Sequence, residues 1–105
     1  MKIVVVAGAF NPLTSADVTF FDESAKHGKY LIVGIYSDNW LKRNSKYPHI
    51  PWDDRAQVVR EIDNVNGVNF FNDDDDSVTD LLIKVRGWYP SDEIIYIDDK
   101  GKKYL

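Results

Sequence analysis

The apolar residues of this chain follow two alternating patterns, of which the first predicts strands. Three short runs, residues 3–7, 31–35 and 94–97, are almost continuously apolar and rich in β-branched residues. Strands as apolar as these are usually covered on both faces, which is typical of parallel sheets. Residues 65–71 form a fourth, weaker strand candidate.

Between the strand candidates the apolar residues recur with helical spacing. Three stripes follow this spacing: Val18, Phe21 and Ala25; Ala56, Val59 and Ile62; and Val78, Leu81, Leu82 and Val85. Gly28 and Gly87 follow the first and third stripes, where a glycine commonly ends a helix. Pro51 precedes the second stripe and suits a first helical turn.

The predicted order of elements is β-α-β-loop-α-β-α-β. Alternating strands and helices imply right-handed crossovers between parallel strands. The sequence therefore predicts the α/β class, with a Rossmann-like open parallel sheet and helices on both faces in three layers. No stretch resembles a linker, so residues 1–105 are predicted to form a single domain.

Composition and charge narrow the range of functions. The 105 residues include no cysteine, which excludes a disulfide scaffold, thiol catalysis and cysteine-ligated zinc. The formal net charge of −4 disfavours nucleic-acid binding, which depends on a basic surface. No apolar run approaches the length of a membrane span, and no secretory signal is visible. We expect a cytoplasmic protein without membrane association.

The candidate functional segment is the turn after the first strand, residues 8–17, with the sequence GAFNPLTSAD. In an open α/β sheet the ligand site lies outside the carboxyl ends of the strands. Thr14 or Ser15 can cap the next helix, whose free N–H groups suit a phosphate. From these residues alone, an ordinary structural turn is the favoured interpretation.

A wider pattern of residues resembles the cytidylyltransferase-like superfamily of nucleotidyltransferases. The first turn of that family reads roughly G-x-F-[DN]-P-x-[HT]-x-x-H, and five positions match it: Gly8, Phe10, Asn11, Pro12 and Thr14. Residues 25–34, 37–41 and 47–56 resemble later family segments in the same order. The resemblance therefore spans nearly the whole chain.

The resemblance implies an enzyme that transfers a nucleoside monophosphate from a nucleoside triphosphate to a small phosphorylated acceptor, with release of pyrophosphate. Mg²⁺ would accompany the triphosphate, and no separate protein metal site is expected. A homodimer is expected by analogy. Residues carried over from the family as nucleotide-binding are Gly8, Ala9, Phe10, Asn11, Asp38 and Arg55. Those carried over as catalytic are Thr14, Asp17 and Lys46.

Three departures from the family pattern indicate a degenerate active site. Asp17 occupies the place of the second motif histidine, and a carboxylate only accepts hydrogen bonds. Asn44 and Ser45 occupy the places of two adjacent lysines. Lys42 or Lys46 then either reaches a phosphate or remains a solvated surface charge. The tail, residues 98–105, lacks the Ser/Thr-rich segment of the family and is interpreted as a solubilising terminus.

The alternative hypothesis is a catalytically inactive relative: a pseudoenzyme, or a truncated or engineered scaffold, that serves as a binding or interaction domain. Thr14 followed three residues later by Asp17 has the spacing of a capping box, which gives Asp17 a structural role. Under this hypothesis the first turn stabilises a helix and binds no triphosphate.

Several other residues have a structural interpretation beside the functional one. Arg55 either lies at the pocket or forms a surface ion pair with Asp53 or Asp54. Asp38 lies near the substrate or caps a turn. Trp40 and Trp52 line a pocket or pack between helix and sheet. The four aspartates of residues 73–76 are interpreted as a solvated turn whose last carboxylate caps the next helix.

Overall fold

A computed structural model of the protein describes residues 1–45 and 49–105. Its strands are β1 (Lys2–Gly8), β2 (Tyr30–Ile35), β3 (Gly67–Phe70), β4 (Glu93–Ile97) and β5 (Lys103–Tyr104). Its helices are α1 (Ser15–Ala25), α2 (Asp38–Asn44), α3 (Trp52–Arg60) and α4 (Thr79–Trp88). The strand order is β3-β2-β1-β4-β5. The pairs among β1 to β4 are parallel and β4–β5 is antiparallel, which confirms the predicted α/β class.

The central strand β1 divides the core into two layers. Val4 and Val6 point to one face of the sheet and pack in a cluster with residues of α1 and α3. Ile3 and Val5 point to the other face and pack in a cluster with residues of α4. Successive side chains of a strand point to opposite faces, so a continuous apolar run buries both sides. The predicted helices on both faces are confirmed.

The two glycines predicted to end helices have other roles. Helix α1 ends at Ala25 with Lys26 as its C-cap, three residues before Gly28. A Cβ atom at Gly28 would lie 2.7 Å from the carbonyl oxygen of Lys2, so a close approach of two backbone segments requires this glycine. Helix α4 continues through Gly87, because Trp88 forms its last residue.

Two further elements were absent from the sequence-based prediction. Residues 38–44, predicted as loop, form α2, which buries Leu41 as its single core residue. A helix this short, with one buried side chain, leaves no periodic signal. In the tail, predicted as a solubilising terminus, Lys103 and Tyr104 pair with β4 instead.

Gly34 of β2 lies where the sheet contacts α4 most closely. A Cβ atom there would lie 2.4 Å from Cδ2 of Leu81 and 3.0 Å from Cε1 of Phe71, and both of these side chains are fully buried. We expect Gly34→Ala to lower the free energy of unfolding by about 1–3 kcal/mol through overpacking. Urea denaturation measures this loss. Gly87→Ala is the matched control, because no atom lies within 4 Å of its added methyl group. A Gly34→Ala protein as stable as the wild type would contradict the expectation.

Candidate functional site

The turn from β1 into α1 is shaped by Phe10. This residue has a φ of 51°, in the left-handed region that non-glycine residues rarely adopt. Its ring lies over Gly8, where an added Cβ atom would be 2.6 Å from Cζ of Phe10. The ring centroid of Phe21 in α1 lies 5.3 Å from that of Phe10. Phe10 is therefore buried in the core, and the turn depends on the missing side chain of Gly8.

The N-terminus of α1 is closed by the predicted capping box, which is confirmed. The backbone N–H of Thr14 donates to Oδ2 of Asp17 at 2.8 Å, and the N–H of Asp17 donates to Oγ1 of Thr14 at 3.4 Å. The Thr14 hydroxyl also donates to Oδ2 of Asp17 at 3.1 Å. The Asp17 carboxylate thus satisfies the backbone N–H of the N-cap residue Thr14 and places a negative charge at the positive end of the helix.

A cavity of about 240 Å³ lies at this turn, at the carboxyl end of β1. Its lining residues are Ala7, Gly8, Ala9, Phe10, Ala16, Asp17, Phe20 and Asp99. The volume is below the ~300–1,000 Å³ of typical ligand pockets, so it suits part of a nucleotide rather than a whole one. The two charged side chains in this lining are both carboxylates. Asp99, beyond the end of β4, was not among the predicted site residues.

Arg55 of α3 connects the loops at this edge of the sheet. Its fully buried guanidinium donates to the carbonyl oxygens of Tyr36 at 2.7 Å, Ile50 at 2.8 Å and Ala9 at 2.9 Å. It also pairs with Oδ1 of Asp38 at 2.8 Å. The alternative of a surface ion pair with Asp53 or Asp54 was wrong, because the partner is Asp38 and the guanidinium is buried.

Asn11 joins the first turn to the segment before α3. Its side-chain oxygen accepts a hydrogen bond from the N–H of Ile50 at 2.8 Å. The backbone of Ala9 and the side chain of Asn11 are therefore both tied to Ile50, directly or through Arg55. The structure brings Asp38, Arg55 and the first turn together at the carboxyl edge, where the sequence predicted them.

A buried carboxylate at this edge was not predicted as a site residue. Asp73 is 2% exposed and accepts hydrogen bonds from the N–H of Ser37 at 2.6 Å and from its hydroxyl at 2.8 Å. Ser37 is in turn the N-cap of α2. Asp73 thereby fixes the start of α2 and, through it, the position of Asp38. The uniform run of four aspartates gave no sign of which member is buried.

The last member of the run, Asp76, was predicted to cap α4, and this was wrong. The N-cap of α4 is Val78, which makes no side-chain capping bond. Asp76 instead pairs with Arg43 of α2 at 3.0 Å, and the same guanidinium donates to the carbonyl oxygen of Asp73 at 2.8 Å. The aspartate turn thus holds α2 rather than α4.

We expect Asp73→Ala to lower the free energy of unfolding by about 2–3 kcal/mol, because it leaves the buried N–H of Ser37 without an acceptor. Asp74→Ala is the matched control from the same run, since Asp74 is exposed and should change stability by less than about 0.5 kcal/mol. Thermal and urea unfolding measure both variants. Equal losses for the two would mean that Asp73 does not anchor α2.

The two tryptophans at this edge pack as aromatic residues. Trp40 stacks on Tyr36 with ring centroids 4.2 Å apart. Trp52 donates from Nε1 to the carbonyl oxygen of Ile35 at 3.0 Å and meets the ring of Phe70 edge-on. Neither lines the cavity at the first turn. Lys46, predicted as catalytic, lies outside the described residues.

The electrostatic field at the carboxyl edge is negative. Burial, together with the nearby charges of Asp73, Asp99 and Asp76, raises the pKa of the Tyr36 hydroxyl. Burial first, and then the charges of neighbouring groups including Asp98 and Asp99, raise the pKa of Tyr96 to about 12. The aspartates that add to these shifts also disfavour an uncompensated anion at the same edge. A bound phosphate therefore needs a counter-ion there.

Residues 5–100 match the sequence pattern of the family described as cytidylyltransferase-like. The chain belongs to this family. The membership confirms the resemblance found in the sequence and agrees with the position of the first turn at the carboxyl end of β1.

Two curated relatives are similar in sequence to this chain. The chain is 35% identical over 101 residues to the bifunctional protein HldE of Yersinia enterocolitica, covering 89% of this chain and 21% of HldE. It is 34% identical over 53 residues to a bifunctional phosphopantetheine adenylyltransferase/NTP phosphatase of Thermoplasma volcanium, covering 50% of this chain and 16% of that protein. The chain thus spans a quarter or less of the length of these relatives.

A solved structure shows the same fold. The lipopolysaccharide core biosynthesis protein from Thermoplasma volcanium superposes with a TM-score of 0.69 at 20% identity. The match covers 100% of this chain and 99% of that one. Within the described part of the chain, no helix combines the length and the apolar character needed to cross a membrane.

Proposed function

We propose that the cytidylyltransferase-like domain binds the phosphates of a nucleoside triphosphate at the first turn and transfers the nucleoside monophosphate to a small phosphorylated acceptor. The observation that supports this most directly is the cavity at the carboxyl end of β1, lined by residues of the first turn and by the carboxylates of Asp17 and Asp99. Family membership supports the reaction class. Pyrophosphate is the expected leaving group.

The chain's own residues fit a cation that arrives with the triphosphate. Mg²⁺ is usually held by one or two carboxylates together with substrate phosphates. Asp17 and Asp99 line the same cavity and supply such oxygens. Among the described residues no group of three or more histidines or acidic residues is placed to hold a metal ion alone. When bound, Mg²⁺ would neutralise phosphate charge that these carboxylates otherwise repel.

The remaining residues act by positioning. Arg55 donates hydrogen bonds to three loop carbonyl oxygens and to Asp38, so it acts by holding the loops of the site in place. Gly8 and Ala9 line the cavity, and the missing side chain of Gly8 makes room for the ring of Phe10 beside it. Lys46, or Lys42 four residues before it in the sequence, is the proposed source of positive charge toward the phosphates.

A second candidate function is a non-catalytic relative that serves as a binding or interaction domain. The capping box at α1 favours it, because the Asp17 carboxylate already accepts from the N–H and the hydroxyl of Thr14 and places a negative charge where a phosphate would bind. Both hypotheses share the same fold, and they differ in whether the cavity binds a nucleotide at all.

Calorimetric titration with ATP and CTP, each with and without Mg²⁺, separates the two. The enzyme hypothesis expects saturable binding that tightens with Mg²⁺. Asp99→Asn should weaken binding about tenfold in Mg²⁺ and strengthen it without Mg²⁺, because the carboxylate attracts the cation and repels the bare phosphate. Asp63→Asn, on an exposed turn, is the control. Absence of heat at millimolar nucleotide would reject the enzyme hypothesis.

The acceptor is tested separately by release of pyrophosphate. The name of the Thermoplasma volcanium relative indicates phosphopantetheine as a first acceptor to supply with ATP. Pyrophosphate release that requires both nucleotide and acceptor would support transfer. Nucleotide binding without release for any phosphorylated acceptor would favour the binding-domain alternative.

A further inference from the structure

A second cavity of about 240 Å³ lies at the opposite end of the sheet from the first turn. It is lined by Tyr30, Ile32, Asn66, Gly67, Asn69, Trp88 and Tyr89. Tyr30 begins β2 and Gly67 begins β3, whereas Trp88 ends α4, so the cavity lies at the amino-terminal end of the strands. It shares no residue with the candidate nucleotide site and does not depend on the proposed function.

The cavity exists because the edge strand β3 is open on this face. Gly67 and Asn69 alternate with Val68, which packs with the opposite core layer. A Cβ atom at Gly67 would lie 3.7 Å from Cγ1 of Ile32 and 3.8 Å from Nδ2 of Asn69, so a side chain would fit there. The missing side chain at Gly67 therefore leaves a space that the fold itself does not require.

The polar groups around this space are neutral and have spare hydrogen-bonding capacity. Within the described part of the chain, the hydroxyls of Tyr30 and Tyr89, the indole N–H of Trp88 and the carboxamide of Asn69 make no hydrogen bond to another protein group, and Tyr30 and Trp88 are 38% and 52% exposed. Asn66 uses its side-chain oxygen to accept from the N–H of Leu31 at 2.8 Å, which holds it at the cavity and leaves its NH₂ group for a ligand.

The lining indicates the chemistry of a ligand. It holds no carboxylate, ammonium, guanidinium or imidazole group, which favours an uncharged molecule. Carboxamides and phenols both donate and accept, as hydroxyl groups do. The rings of Tyr30 and Tyr89 meet at 64° with centroids 6.2 Å apart, so they do not form a parallel pair for a flat heterocycle.

We propose that this cavity binds a neutral hydroxylated ring, a single pyranose unit. The apolar faces of Trp88 and the two tyrosines pack against the C–H groups of the sugar. Asn66 and Asn69 hydrogen-bond its hydroxyl groups. The volume suits one ring rather than an oligosaccharide, since it is below the range of drug-sized pockets.

The test is an NMR titration with methyl β-D-glucopyranoside, methyl α-D-mannopyranoside and methyl β-D-galactopyranoside, with adenine as the flat uncharged probe. We expect at least one glycoside to shift the indole N–H signal of Trp88 and the carboxamide signals of Asn69 saturably, in the millimolar range. The indole signals of Trp40 and Trp52, outside this cavity, serve as internal references.

Two variants and one control complete the test. Gly67→Leu fills the cavity and should weaken glycoside binding at least tenfold. Asn69→Leu keeps the size of the side chain but removes its hydrogen bonds, and should weaken binding about tenfold. Gly87→Leu, outside the cavity, should bind as the wild type does. The methyl spectra of all three report whether the fold is retained.

Three outcomes would overturn the proposal. In the first, no glycoside shifts the Trp88 signal saturably up to about 100 mM. In the second, adenine alone saturates that shift. In the third, wild type, Gly67→Leu and Asn69→Leu bind the glycosides with equal affinity. If Gly67→Leu fails to fold, the glycoside affinity of Asn69→Leu, a substitution on the edge strand β3, decides the test.

Discussion

Replacing Arg55 by methionine is expected to lower the free energy of unfolding by about 3–5 kcal/mol, the range seen when one partner of a buried charged network is removed. The guanidinium is fully buried and serves four acceptors: the carbonyl oxygens of Ala9, Tyr36 and Ile50, and Asp38. Methionine has a similar length but donates to none of them. Three carbonyl groups from three different loops lose their shared donor at once.

Two further variants assign this loss to its parts. Arg55→Lys retains the charge, but an ammonium lacks the planar fork that reaches all four acceptors. We therefore expect it to lower the free energy of unfolding by less than Arg55→Met does. Asp38→Asn should cost only about 1 kcal/mol or less, because the Asp38 side chain is 48% exposed and water replaces much of the interaction. Urea denaturation at one fixed pH measures all three.

The same variants show whether Arg55 also contacts a nucleotide. If its role is to position the loops, Arg55→Lys that remains folded at low temperature should bind the Mg²⁺ complex of ATP only slightly less tightly than wild type. A loss of affinity of a hundredfold or more in the folded variant would point to direct contact. A loss of stability below about 1 kcal/mol for Arg55→Met would contradict the loop-clamping role itself.

The comparison of Arg55 with the capping box shows which features the sequence predicts. The Thr14–Asp17 pair acts between residues three apart, so its spacing alone predicts its geometry. Strands β1 and β2 were predictable because both of their faces are buried and their apolar runs are therefore continuous, whereas β3, with no buried residue, left a weaker signal. Arg55 depends instead on Ala9 and Tyr36, which lie in distant segments. Its family position predicted the right edge of the sheet but not the burial.

The misassigned glycines and aspartates have a related cause. Gly28 and Gly87 look alike in sequence, yet the first is required by contact with Lys2 and the second lies in an exposed turn of helix. Asp73 and Asp74 are adjacent and chemically identical, yet only Asp73 is buried. Such differences arise from tertiary packing, which local patterns do not encode.

Asp17→His is expected to tighten binding of ATP in the absence of Mg²⁺ by at least tenfold. Two unit charges about 4 Å apart interact by roughly 4 kcal/mol at an effective dielectric of 20, so removal of the carboxylate relieves a repulsion of up to about three decades in affinity. The imidazole also adds a donor at the helix N-terminus. The cost is the loss of the cap on the Thr14 N–H, about 1 kcal/mol of stability.

Asp17→Asn is the matched control, because it removes the charge while its side-chain oxygen still accepts from Thr14. Without Mg²⁺ we expect affinity for ATP to rise in the order Asp, Asn, His. The histidine variant should gain the most affinity as the pH falls from 8 to about 5.5, since an imidazole with a pKa near 6.5 gains a positive charge in that range. In Mg²⁺ the differences in ATP affinity among the three proteins should become smaller or change sign, because the wild-type carboxylate then attracts the cation.

Calorimetry at two pH values, with and without Mg²⁺, measures these affinities. If all three proteins fail to bind ATP under every condition, the cavity at the first turn is not a nucleotide site, and the capping role of Asp17 is sufficient to explain this residue.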